Sequence, residues 1–261
     1  MSSRIARITY LYNSGFSVET ENQLLIFDYC LMNSAKEQKR LTTGVVGKED
    51  LMSKPSVTVF ASHGHKDHFN AAVLRWRVRH KNVNYIFSDD IHADKEAILM
   101  KPGDSVTLQG MRVSAFPSTD IGVSFLVETE GLSIFHAGDL NLWSPRPSTE
   151  EASLAFKKAK FAYLKVLKHI NCHTIDIAFF PVDPRIGPGY EIGALYFIRY
   201  FKPRLFVPMH FGNNYDACQD FLAKNNLPGM EVFRIQMRGQ QYEYCRELDC
   251  NKKGVNICGI F

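Results

Sequence analysis

Short apolar runs broken by polar turns dominate the chain, and amphipathic stretches separate them. Residues 5–12 and 16–28 read as a hairpin, with Phe16, Val18 and Leu24 to Phe27 apolar and a polar ETENQ reversal between. Residues 29–53 are polar and mixed, which predicts a loop with a helical turn over 48–53. VTVFAS (57–62) is a β-branched run short enough for a buried strand, followed by a predicted helix over 69–80 and a strand at NYIFS (84–88). From residue 104 the pattern turns β-rich: strands are predicted at 105–109, 111–116, 123–129 and 132–138, with Gly110 and Gly131 at two of the reversals. Residues 148–170 predict a long helix, with Ser148 or Thr149 as cap, Glu150 and Glu151 at its positive end and Lys165 and Lys168 in its last turn. Strands at 176–182 and 204–209, helices at 190–201 and 214–225, and a strand pair over 231–246 complete the reading. The expected architecture is α/β in the α+β sense: a single domain over 1–261, with two α/β halves of about 1–116 and 117–261. Their sheets stack face to face with helices outside.

Composition narrows the classes. Of 261 residues, 45% are hydrophobic and 22% charged, which fits a packed globular protein and argues against disorder. No apolar stretch approaches the ~20 residues of a membrane span, so no membrane partner is expected. MSSRIARITYLYNSGF lacks the apolar core of an export signal, and six scattered Cys without a CxxC pair read as reduced thiols of a cytoplasmic protein. Cys245, Cys250 and Cys258 are too far apart for the usual metal-binding spacing. With 31 Lys plus Arg against 27 Asp plus Glu, the net charge of +4 permits an anionic substrate and does not require nucleic acid.

The histidines carry the chemistry. His63, His65 and His68 fall within six residues, in HGHKDH (63–68), immediately after the VTVFAS strand. Ligand sites of α/β sheets lie beyond the C-terminal ends of strands. Residues two apart in extended chain point the same way, so His63 and His65 can reach one cation. Asp67 and His68 sit where the loop bends into a helix and can face a second. Imidazole with carboxylate suits Zn²⁺, Fe or Mn²⁺. FHAGD (135–139) leaves Asp139 at the tip of one strand, and VPMHF (207–211) leaves His210 at the tip of another.

HGHKDH, the Gly-Asp of FHAGD and the His of VPMHF resemble the metal motifs of metallo-β-lactamase-fold hydrolases, over roughly residues 5–215. The segment LLIFD, ending at Asp28, is similar to the opening segment of that family. The HAGD and PMH forms look most like the branch that holds ascorbate-phosphate lactonase and related Zn-dependent hydrolases. The resemblance implies a four-layer αββα sandwich with a dinuclear metal site at one edge. His63 and His65 would bind metal one, Asp67, His68 and His210 metal two, and Asp139 would bridge them. It implies one or two divalent transition-metal ions, Zn, Mn or Fe, and a metal-bound hydroxide attacking a small ester, lactone or phosphoester. Asp67 would also orient the nucleophile or carry its proton. A nucleic-acid phosphodiesterase of the same fold, and a non-catalytic metal-binding scaffold, remain as alternatives.

One departure stands out. The family supplies a third His to metal one before a mid-chain strand; here FPSTDIGVSFLVE (116–128) has none, and Asp120 is the nearest candidate ligand. A turn residue before Gly122 accounts for Asp120 equally well. The loop VDPRIGPGY (182–190) follows a buried strand, so Asp183, Arg185 and Tyr190 are candidate substrate contacts, although a Pro/Gly turn explains the loop as readily. His136 is expected behind the ligands, and Trp143 reads either as lining the pocket or, as readily, as a core residue. RWRVRHK (75–81) fans its arginines around a helix, which favours a solvated face over an RNA site. The expected partner is therefore a small molecule; a homo-oligomer is compatible with the sequence.

Overall fold

The structure, a computed structural model, describes residues 4–31, 38–93, 97–172, 174–225, 227 and 229–246. The first sheet contains β1 (Arg4–Tyr12), β2 (Gly15–Glu19), β3 (Gln23–Phe27), β4 (Ser56–Ala61), β5 (Val83–Ser88) and β6 (Ile98–Met100). The second contains β7 (Ser105–Leu108), β8 (Met111–Pro117), β9 (Val123–Thr129), β10 (Leu132–His136), β11 (Ile177–Pro181), β12 (Leu205–Met209) and β13 (Glu231–Val232). A last strand, β14 (Gln241–Arg246), returns to the first sheet and pairs antiparallel with β1. The sheets therefore divide the chain between residues 100 and 105, ahead of the expected boundary at 116/117. The strands at 231–246 are not a pair: β13 extends the second sheet beside β12, and β14 closes the first.

The two sheets repeat one another. Along β14-β1-β2-β3-β4-β5-β6 the first three pairings are antiparallel and the next three parallel. Along β7-β8-β9-β10-β11-β12-β13 the same succession occurs.

Strand patterning explains how the sheets stack. In β3, Leu25 and Phe27 face the inter-sheet core, while Leu24 and Ile26 join a second core on the outer face. A strand buried on both faces reads as a continuous apolar run, as LLIF does. Between the sheets, Phe60 stacks on Phe27 at 4.7 Å and meets Phe125 at 5.5 Å, while Phe16 meets Phe179 at 4.6 Å. Outside the second sheet lie α3 (Glu150–His169), α4 (Ile192–Phe201) and α5 (Asp216–Lys224). Phe197 of α4 packs on Phe135 and Phe180, and Phe221 of α5 on Phe206. Thr149 caps α3 by accepting from Ala152 N at 3.2 Å, as the sequence predicts. On the first sheet's outer side a short helix α1 (Lys48–Met52) fills the predicted turn.

The predicted helix over 69–80 is broken. Residues 71–75 form a 3-10 turn that leads into α2 (Trp76–Arg79). The Tyr85 hydroxyl donates to Val73 O at 2.7 Å and accepts from Arg77 N at 3.1 Å. It thus occupies the carbonyl-to-amide link that a regular α-helix would make itself.

At the rim away from the metal motifs, Asp176 is fully buried and accepts from Ser133 N at 2.9 Å and the Tyr244 hydroxyl at 3.2 Å. Arg246 reaches it at 3.1 Å and Arg204 at 3.5 Å. This carboxylate ties β14 to the second sheet. Removing it strands several donors, so Asp176→Ala should cost about 3 kcal/mol in urea unfolding. A loss below about 1 kcal/mol would show that β14 is held by its ladder alone.

Candidate metal centre

The loops that follow β3, β4, β10, β11 and β12 converge at one edge of the sandwich, and each brings a polar side chain. Asp28 follows β3, HGHKDH follows β4, Asp139 follows β10, Asp183 follows β11 and His210 follows β12. Three of the turns there hold non-glycine residues in the left-handed region: Asn13 (φ 53°), Asp28 (φ 44°) and His210 (φ 69°). Such backbone persists only where its surroundings over-determine it, and it clusters at functional sites.

Each buried histidine is fixed from behind. His68 Nδ1 donates to Asp28 Oδ2 at 2.7 Å. His210 Nδ1 donates to Asp183 Oδ2 at 3.0 Å. The Ser62 hydroxyl donates to Asp28 Oδ2 at 2.7 Å and so accepts from His63 Nδ1 at 3.1 Å. The three Nδ1 protons are thereby placed outward, and the three Nε2 lone pairs face inward. They face Asp139: His68 Nε2 and His210 Nε2 lie 3.1 and 3.3 Å from its Oδ1, and His63 Nε2 lies 3.4 Å from its Oδ2.

Lone pairs opposed at that range repel. His68 Nε2, His210 Nε2 and Asp139 Oδ1 are buried, and none has a partner with hydrogen-bond geometry despite the short separations. A cation among them resolves the conflict, and donor spacings near 3 Å suit a tetrahedral ion with ligands at about 2.0–2.2 Å. Burial opposes a charge on His68, but Asp28 and Asp139 outweigh it and its pKa is pushed up to about 10. Burial likewise opposes ionisation of Asp139, and the rings of His68, His210 and His63 outweigh it, holding the carboxyl below its ordinary range.

The sequence-predicted residues fall into three overlapping groups of donor atoms, each within 4.8 Å of one another: His63, His68 and Asp139; Asp67, His68 and His210; His65, Asp120 and Asp139. His65 Nδ1 also lies 3.0 Å from His63 Nε2. All seven candidate ligands are thus brought together. His136 stands behind them, fully buried, with Nε2 on Ser14 O at 2.9 Å and its ring stacked on Phe27. Trp143 donates to Asp139 O at 2.7 Å and sets its ring edge-on to His210.

The three candidate substrate contacts separate. Asp183 is buried and engaged with His210 and with Arg185 Nε at 2.9 Å, so it orients a histidine and leaves no oxygen for a substrate. Burial would raise its carboxyl, but those bonds hold it down at about 2. Arg185 is exposed and reaches His210 O at 3.3 Å. Tyr190 lines a cleft of about 370 Å³ between its loop and α5, with Lys224 over its ring.

Some supporting residues carry no motif. Asn13 Nδ2 donates to Asp67 Oδ2 at 3.3 Å, Asn13 O accepts from His210 N, and Asn13 Oδ1 accepts from Gly212 N. Asp90 Oδ2 accepts from Gly64 N at 2.8 Å and fixes the HGH turn. His92, in the same stretch, is exposed. Cys250 and Cys258 lie outside the described residues; Cys30, Cys172, Cys218 and Cys245 are free thiols. No helix among the described residues is long and apolar enough to cross a membrane.

A two-sheet sandwich with this imidazole and carboxylate cluster at its edge is the metallo-β-lactamase fold, and the curated relatives of the chain are named metal-dependent hydrolases. The chain belongs to the β-lactamase superfamily: the profile of the β-lactamase superfamily domain matches residues 7–155, more than half of it. A UPF0173 metal-dependent hydrolase of Opitutus terrae is 28% identical over 260 residues, spanning 91% of this chain and 99% of the relative. A second, from Methanosarcina barkeri, is 24% identical, spanning 78% and 83%. Among solved structures, the metallo hydrolase Igni18 of Ignicoccus hospitalis superposes with a TM-score of 0.60 at 17% identity, over 94% of this chain and all of that one.

The outward bonds of the histidines set a measurable dependence. Asp28→Asn and Asp183→Asn each replace a carboxylate behind an imidazole, and each should weaken divalent-metal binding by about 10–100-fold. Titration of chelator-stripped protein reads this directly; unchanged affinity in both variants would mean that the ring orientations need no carboxylate.

Proposed function

We propose that the chain hydrolyses a small ester, lactone or phosphoester at this cluster, with divalent transition-metal ions, Zn, Mn or Fe, held by His63, His65, Asp67, His68, Asp139 and His210. The convergence of unpartnered buried lone pairs on Asp139 carries the reading. A pair of such ions supplies a Lewis acid for the scissile group and brings the pKa of water toward neutrality.

The residues do the rest. Asp139 offers one oxygen to His68 and His210 and the other to His63, the division that a bridging carboxylate needs. Asp67 is half-exposed and stands at the mouth, 3.6 Å from His68 Nε2 and 3.7 Å from His210 Nε2. Held by Asn13, its carboxylate accepts the proton of the attacking water and returns it to the leaving oxygen. The Trp143 ring walls the site beside His210, and exposed Ile121 lies next to Asp120 on the rim. Arg185 is 67% exposed beside this edge, and its guanidinium pairs with Asp183 at 2.8 Å.

The test is a panel of generic esters, lactones, phosphomonoesters and phosphodiesters, assayed on stripped protein and after reloading with Zn²⁺, Mn²⁺ or Fe²⁺. Turnover only after reloading is expected. Asp67→Asn should lose at least about 100-fold of that turnover while its unfolding midpoint stays put. Reloading at about 100 times Kd should also stabilise the fold by about 2.7 kcal/mol. Metal binding with no turnover on any member of the panel would leave a scaffold in place of an enzyme.

A further inference from the structure

The loop between β8 and β9 reaches the cluster without supplying a histidine. Its position is fixed from two sides. Val123 N donates to Ser62 O at 2.9 Å, and Gly122 (φ 80°) lies so close to this strand end that a Cβ there would strike the Ser62 carbonyl and His63. The Thr119 hydroxyl donates to Asn141 O at 2.6 Å and accepts from Asn141 N at 3.0 Å, which pins the loop to the segment that carries Asp139. Asp120 stands between these anchors, and Ser118 Oγ accepts from its backbone amide. Its carboxylate falls within 4.8 Å of donor atoms of His65 and Asp139.

We propose that Asp120 is a ligand of the first cation position, which makes that position two imidazoles and two carboxylates. This rests on the metal-centre reading above. His65, Asp120 and Asp139 form one close donor group, with His63 Nε2 3.0 Å from His65 Nδ1, and Asp67, His68 and His210 form another, so neither position is degenerate. Exchange of an imidazole for a carboxylate moves a site toward harder ions. It also adds a negative charge beside the bound pair. The site therefore discriminates less against Mn²⁺ and Fe²⁺, relative to Zn²⁺, than the same pocket with a third imidazole would.

Metal alone is the probe. Chelator-stripped wild-type protein and the Asp120→Ala and Asp120→His variants are titrated with Mn²⁺ and with Zn²⁺, and bound metal is counted per chain. Wild type should take two Mn²⁺. Asp120→Ala should keep one at unchanged affinity and bind the other at least about 100-fold more weakly, beyond the range for losing a mere outer partner. Asp120→His should recover two ions and raise the ratio of Zn²⁺ to Mn²⁺ affinity at least about tenfold. Melting of the stripped variants together with stripped wild type shows that the exposed loop change leaves the fold intact.

The assignment is overturned if Asp120→Ala binds as much metal as wild type with the same affinity. Loss of both ions from a folded Asp120→Ala overturns it too, as does an unchanged affinity ratio in Asp120→His. Wild type that binds no metal at all overturns the metal centre itself, a different result from any of these.

Discussion

Three imidazole lone pairs aimed at one buried carboxylate cannot rest in a protein interior without a positive charge among them. That electrostatic debt organises the rest of the edge. The rings could turn away from Asp139, but Asp28, Ser62 and Asp183 hold their Nδ1 protons outward. These holders are themselves fixed: Asp28 accepts from Ser62 N and Oγ, and Asp183 from Arg185. The backbone contributes strain as well, with Asn13, Asp28 and His210 left-handed where β-carbons resist it. A pocket prepared in this way has already met the reorganisation that metal binding would otherwise demand.

Much of this was legible from residues. Apolar runs such as LLIF and VTVFAS announce strands buried on both faces, and the capped amphipathic stretch after residue 148 announces α3. HGHKDH is readable because a bend after a strand forces its side chains into a small volume. What stayed hidden depends on partners distant in sequence. The helix after HGHKDH is interrupted by a hydroxyl that arrives from β5, which no local periodicity encodes. Asp183 sits in a loop rich in Pro and Gly, and only the fold shows that it lies behind His210. Asn13 sits in a reversal whose sequence, YNSGF, looks like any other turn.

The repeated pairing order of the two sheets gives the edge a shared plan. Asp28 and Asp139 follow equivalent strands, β3 and β10, and both carboxylates approach His68, one on each ring nitrogen. His63 and Asp183, each two residues beyond β4 and β11, occupy matching loops, one facing the cluster and one supporting it. The same architectural position thus supplies a candidate donor in one half and, in the other, a brace for a different histidine.

The closure of the first sheet by β14 bears on how the chain reaches this state. Arg4 pairs with Arg246, so β1 meets one neighbour almost at once and the other only after nearly the whole described chain has been made. Pairings so distant in sequence slow folding, because the chain must give up loop entropy before the contact rewards it. During synthesis the outer side of β1 is an open row of amides and carbonyls, competent to recruit a strand from another molecule. Variants that delay the arrival of residues 241–246 should therefore lose yield to aggregation while those chains that do close retain a normal metal edge.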